Sequence, residues 1–119
     1  MATDMDYDSI AKAGSMLGSG AVIIMDETVC MVKALERLSY FYHEESCGQC
    51  TPCRVGTAKA AQLMQAKVWD TTTLEDLNQV MTDASICGLG QAAPNPIRCV
   101  LDYFPHEVGA PSKTQQGQA

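Results

Sequence analysis

Three cysteines, Cys47, Cys50 and Cys53, stand three residues apart in the segment ESCGQCTPCRVG, residues 45–56. No other feature constrains the chain as tightly, because the loop has to be shaped around whatever the three thiols hold. A single zinc ion takes four ligands in a tetrahedron, commonly as two separated pairs. A cubane iron–sulfur cluster is larger. A C-x₂-C-x₂-C loop wraps three of its corners, and the fourth thiolate comes from far away in sequence.

Three further cysteines are available for that fourth position. Cys87 lies in SICGLGQ, between residues that leave the backbone free to approach sulfur and donate its N–H groups. It is the preferred fourth ligand. Cys30, in the first turn of an expected helix, and Cys99, in the middle of another, read as packed and inert thiols. Cys53 falls in the first turn of an expected helix, where the positive end of the dipole favours a thiolate. Arg54 follows and offsets negative charge, while Gly48 and Gly88 complete the immediate surroundings. His43 and His106 read as exposed histidines. No nucleophile–base pair, G-x-G-x-x-G or P-loop is present, so no catalytic residue is expected.

Six cysteines in 119 residues is below the ~8–10% of a secreted disulfide scaffold. The acidic, polar start MATDMDYDS is unlike an export signal. A reducing cytoplasm is the expected setting, where clustered thiols hold metal. The net charge of −6 argues against a nucleic-acid partner, which calls for a basic surface. No apolar run approaches the ~20 residues of a membrane span, so no direct membrane insertion is expected.

The apolar pattern is mainly helical. Residues 6–13 suit a short helix capped by Asp6 and ended by Gly14. AVIIM, residues 21–25, reads as a buried strand whose partners are missing, and such an edge predicts self-association of the isolated chain. Asp26 and Glu27 serve a capping role at the strand exit. A helix follows to about Glu45, with Met31, Leu35, Leu38 and Tyr42 on one face. Thr51 and Pro52 mark the start of a second helix running to about Lys67. Thr72 and Glu75 form a capping-box pattern for a third, with Leu74, Leu77 and Met81 on one face. Residues 86–96 read as a loop. Asn95-Pro96 opens a fourth helix carrying Ile97, Val100, Leu101 and Phe104, and Pro105 stops it. The fold class is therefore mainly α: a small four-helix bundle with a cluster-binding cysteine loop, preceded by a helix–loop–strand remnant of an α/β domain. Its divisions are residues 1–26, 27–107 and a polar, disordered tail at 108–119.

The segments EESCGQCTPCRVGT and ICGLGQAAPNPIRCVLDYFPHE resemble the C-terminal part of the NADH-binding flavoprotein subunit of respiratory complex I. The diaphorase subunits of NAD-reducing hydrogenases and NAD-linked formate dehydrogenases share this architecture. The second of these segments, and DYDSIAKAGSMLGSGAVIIMDET, look closest to the formate dehydrogenase beta subunit. The resemblance runs from about Tyr7 to Glu107 and implies one [4Fe–4S] cluster on Cys47, Cys50, Cys53 and Cys87. It implies electron transfer between a flavin and further iron–sulfur centres, with other oxidoreductase subunits as partners. It places FMN and NAD on a domain or partner outside these residues, and makes residues 1–26 the end of a small ubiquitin-like domain. The competing readings are a structural zinc module and a cluster-free helical interaction module.

Overall fold

Short polar side chains and prolines set where the helices begin. The computed structural model describes residues 3–108. Asp6 opens α1 (Tyr7–Lys12) by accepting the Ser9 N–H at 2.8 Å, and Gly14 leaves it with φ +81°. Cys30 is the N-cap of α2 (Met31–Glu44) and Cys50 that of α3 (Thr51–Met64), with Pro52 in the first turn. Thr51, the expected cap, is thus already inside the helix. Asp70 rather than Thr72 caps α4 (Thr71–Ala84), accepting the Thr73 N–H at 3.1 Å and the Thr73 hydroxyl at 2.6 Å. The expected capping box does not form because Thr72 lies inside the helix, and Glu75 instead accepts from Arg98 at 2.9 and 3.1 Å.

The expected loop at 86–96 is largely helical. It contains α5 (Gly88–Ala92) and the start of α6 (Pro94–Tyr103). Backbone bonds from Gln91 N to Cys87 O and from Ala93 N to Leu89 O carry the turn. Pro94 and Pro96 are accommodated because the first turn of a helix leaves its N–H groups unpaired anyway. Asn95 is not the cap; its amide donates to Met16 Sδ at 3.5 Å.

Four of these helices close into a ring. α2 packs on α3 and α6, α4 packs on α3 and α6, and α5 wedges against α3, α4 and α6. The core they enclose is Leu35, Ala60, Met64, Trp69, Leu74, Ile97 and Val100. Trp69 donates its indole N–H to the Met64 carbonyl at 2.9 Å, satisfying one of the free carbonyls at the end of α3. Glu107, beyond α6, accepts the first N–H of α2, that of Met31, at 2.8 Å. This bond ties the two ends of the helical region together. Gly56 lets α3 meet α4 closely, since a Cβ there would lie 2.6 Å from Met81 Cγ.

Two expectations about burial are corrected. Leu38 is 41% exposed, and Ser39 takes the inward position on α2, donating to Met64 Sδ at 3.6 Å. On α4 the fully buried neighbour of Leu74 and Met81 is Asn78, with Leu77 only half-buried. The strand remnant is also not formed. Among the described residues there is no strand, and Ile24 in AVIIM is 92% exposed. Backbone hydrogen bonds make a strand, and this segment has no second strand to pair with. Asp26 closes the turn that follows by accepting the Thr28 N–H and hydroxyl, so it caps a turn and not α2. Val108, placed in the tail by its sequence, packs against the core. The remaining tail, 109–119, lies outside the described residues.

The Glu75–Arg98 pair gives a pH-dependent stability. Hydrogen bonding from Arg98 is the main cause holding the Glu75 carboxyl below the usual range, with a smaller bond from Asn78. A carboxylate depressed in the folded state stabilises the fold above its unfolded value, and that stability goes as pH falls through the folded value. Glu75 is half-exposed, so the pair contributes at most about 1 kcal/mol. Melting curves from pH 7 down to 3 should show Glu75→Gln losing its stability deficit below about pH 4. An unchanged deficit at acid pH would refute the assignment.

Candidate cysteine-loop site

The loop is built by the end of α2 and the start of α3. After Glu45 the chain turns at Gly48, whose φ of +73° is the left-handed region that favours glycine. Arg54 reaches back from α3 and donates to the Gly48 carbonyl at 2.7 Å. The guanidinium is exposed, so Arg54 both closes the loop and leaves positive charge beside it. Ser46 Oγ accepts the Gly48 N–H at 3.4 Å and lies 3.3 Å from Cys53 Sγ. Thr57 donates to the Cys53 carbonyl at 2.8 Å. Cys53 is the most enclosed of the loop thiols at 4% exposure; Cys50 is half-buried and Cys47 exposed.

The distant segment 85–90 docks on this loop. The Ile86 N–H is the main cause holding the Cys50 thiol below its usual range, followed by the Cys53 N–H. Both sit where they favour a thiolate. Cys87, next to Ile86, is exposed at the N-cap of α5 with extended backbone. The Gln91 side chain donates to the Ser85 carbonyl at 3.0 Å and holds the turn. Gly90 is buried against the loop: a Cβ there would overlap Ser85 Oγ and lie 2.9 Å from Cys53 Cβ. At Gly88, by contrast, a Cβ would meet nothing within 4 Å. The glycine that close packing requires is therefore Gly90, not Gly88. Ser85 is also a residue the sequence did not single out. It is 5% exposed and its hydroxyl has no hydrogen-bond partner.

The other cysteines stand apart. Cys30 caps the far end of α2, and 14 residues separate it from Glu45, roughly 21 Å of helix. Cys99 lines a cavity of about 470 Å³ with Met16, Tyr42 and Tyr103, whose walls include none of the loop cysteines. His43 is half-buried, with its Nδ1 unpartnered, and stands edge-on to Tyr40; His106 is exposed.

Among the described residues, no three His, Cys, Asp or Glu side chains gather tightly enough for a single metal ion. The donor set is sulfur, which suits iron–sulfur clusters and other soft metals. The loop thiols, the positive charge of Arg54 beside them and the docking of segment 85–90 on the loop fit an anionic, sulfur-bound group. No helix of the described residues is long and apolar enough to cross a membrane.

Several known proteins are similar to this chain. Residues 33–111 match the family described as the NADH-ubiquinone oxidoreductase-F iron–sulfur binding region. The F subunit of the NADH-quinone oxidoreductase of Rickettsia rickettsii is 42% identical over 117 residues, covering 93% of this chain and 28% of that protein. The HndC subunit of the NADP-reducing hydrogenase of Solidesulfovibrio fructosivorans is 37% identical, covering 89% of this chain and 23% of the other. The crystal structure of an NAD⁺-reducing [NiFe]-hydrogenase in the H₂-reduced state superposes with a TM-score of 0.67 at 33% identity, over 71% of this chain and 16% of that one. The chain spans about a quarter of the length of the curated relatives it matches.

Proposed function

The chain belongs to the NADH-ubiquinone oxidoreductase-F iron–sulfur binding family, and from that premise we propose that it relays electrons through one [4Fe–4S] cluster held by Cys47, Cys50, Cys53 and Cys87. The observation that supports the ligand set is the docking of segment 85–90 on the loop, where Gly90 packs so closely that a Cβ on it would lie 2.9 Å from Cys53 Cβ. It sets a segment three residues from Cys87 against Cys53, although the whole of α4 and most of α3 lie between Cys53 and Cys87 in sequence.

A cluster held by these four thiolates would supply one-electron transfer. The chain supplies the thiolates, and the N–H groups of Ile86 and Cys53 favour the ionised form of Cys50. Arg54 fixes the loop through the Gly48 carbonyl and partly offsets the site's negative charge. The packing of α5 against α3 and α4 shields the Cys53 side from water.

The flavin and nicotinamide sites belong, on this reading, to a domain or partner subunit outside this chain. The exposed Val22, Ile23 and Ile24 support a contact with the sheet of such a domain, which would supply the missing strand pairing. Residues 1–26 are then the end of that domain, with Met16 resting on the bundle at Asn95. Among assemblies of this kind, a cytoplasmic, NAD-linked formate dehydrogenase is the one that segments 6–28 and 86–107 resemble.

Anaerobic reconstitution with iron and sulfide tests the proposal. The expected product is a brown protein with about four iron atoms per chain and a spin-resonance signal that appears on reduction. A colourless protein that takes up one zinc ion and no sulfide would establish the structural-metal alternative instead.

A further inference from the structure

The Ser46 hydroxyl has a use that the ligand set does not explain. Its oxygen accepts the Gly48 N–H at 3.4 Å, which leaves its own proton free, and Cys53 Sγ lies 3.3 Å away. Between a hydroxyl and a neutral thiol either atom could donate. A thiolate ligand has no proton, so only Ser46 can be the donor once Cys53 binds iron. The contact is sheltered, because Cys53 is buried and Ser46 half-buried, and a charge-assisted bond is stronger than a neutral one.

Resting on the cluster reading above, we propose that Ser46 is a positioning residue that donates a hydrogen bond to Cys53 Sγ and raises the reduction potential of the site. Each electron accepted there adds a negative charge beside that sulfur. A donor facing the sulfur favours the reduced form, and hydrogen bonds to ligand sulfur are among the main determinants of such potentials. The Gly48 turn matters to this geometry: it aims an N–H at the Ser46 oxygen and so orients the hydroxyl proton toward sulfur.

The test is a potentiometric titration followed by spin resonance, on the full chain reconstituted without oxygen. Iron and sulfide are measured first on the unsubstituted chain. If these are absent, the cluster reading itself fails. With the cluster present, Ser46→Ala is expected to keep its iron content and shift the oxidised-to-reduced ratio about tenfold toward oxidised at a fixed potential, roughly 59 mV for one electron. Ser46→Thr, which retains the hydroxyl, restores most of the shift, whereas its isostere Ser46→Val does not. An unchanged potential in Ser46→Ala overturns the proposal, as does a threonine variant that shifts as far as valine. Should neither hydroxyl-free variant load, the hydroxyl serves assembly and not potential, and the proposal also falls.

Discussion

Replacing Cys87 with serine is expected to abolish stable cluster binding, with at least a several-fold fall in iron and labile sulfide per chain. A serine hydroxyl is harder and far less acidic than a thiol, so it makes a poor fourth ligand to a soft sulfur-bound site. Cys53→Ser should be as severe, because Cys53 is the most enclosed of the loop thiols. Cys30→Ser and Cys99→Ser provide the contrast. Cys30 is a helix length from the loop, and Cys99 faces a different cavity, so both variants should load fully. The measurement is iron and sulfide content with the reduced spin-resonance signal, on the full chain. Full loading of Cys87→Ser, or loss of the cluster in Cys99→Ser, would reassign the fourth ligand.

Gly90→Ala is expected to destabilise the chain by roughly 1–3 kcal/mol and to weaken cluster retention as well. The added methyl would overlap Ser85 Oγ and stand 2.6 Å from Ser85 Cβ and 2.9 Å from Cys53 Cβ. Rotating the Ser85 hydroxyl relieves only the first of these contacts. The other two involve atoms fixed to the backbone, so segment 85–90 has to move away from the start of α3. On the proposed ligand set, that movement withdraws Cys87 from the loop thiols. Gly88→Ala meets nothing within 4 Å and, in the helix that follows Cys87, gains roughly the alanine-over-glycine preference. Thermal melting of both variants, with iron content after reconstitution, separates the two positions. Equal stability of the alanine variants would show that the close approach at Gly90 is unimportant.

Much of this site is legible in the chain itself. The three-residue spacing of Cys47, Cys50 and Cys53 is a local pattern, and local patterns survive in any fold that keeps the loop. Asp6 and Pro52 likewise act within one turn of themselves. Sequence patterns mislead where an element depends on something distant. AVIIM has the composition of a strand, yet a strand is a relation between two segments, and no second one is present among the described residues. The Thr72–Glu75 pattern has the spacing of a cap, but Asp70 opens the helix two residues earlier and Arg98 from α6 takes the glutamate. Leu38 falls on the apolar stripe of α2 and is nevertheless exposed. Helical spacing gives a face without saying how wide the contact with α3 and α6 will be.

By itself the sequence determined three closely spaced thiols, an acidic chain and a helical framework. Those follow from residue type and short-range spacing, which no packing can alter. Tertiary structure alone decided which glycine is crowded, that Ser85 is buried beside Cys53, that Ser46 faces a thiol, and that Glu107 caps a helix 76 residues earlier. Each of these is a meeting of groups whose separation no sequence pattern states. Only the closing of four helices around one core fixes such distances.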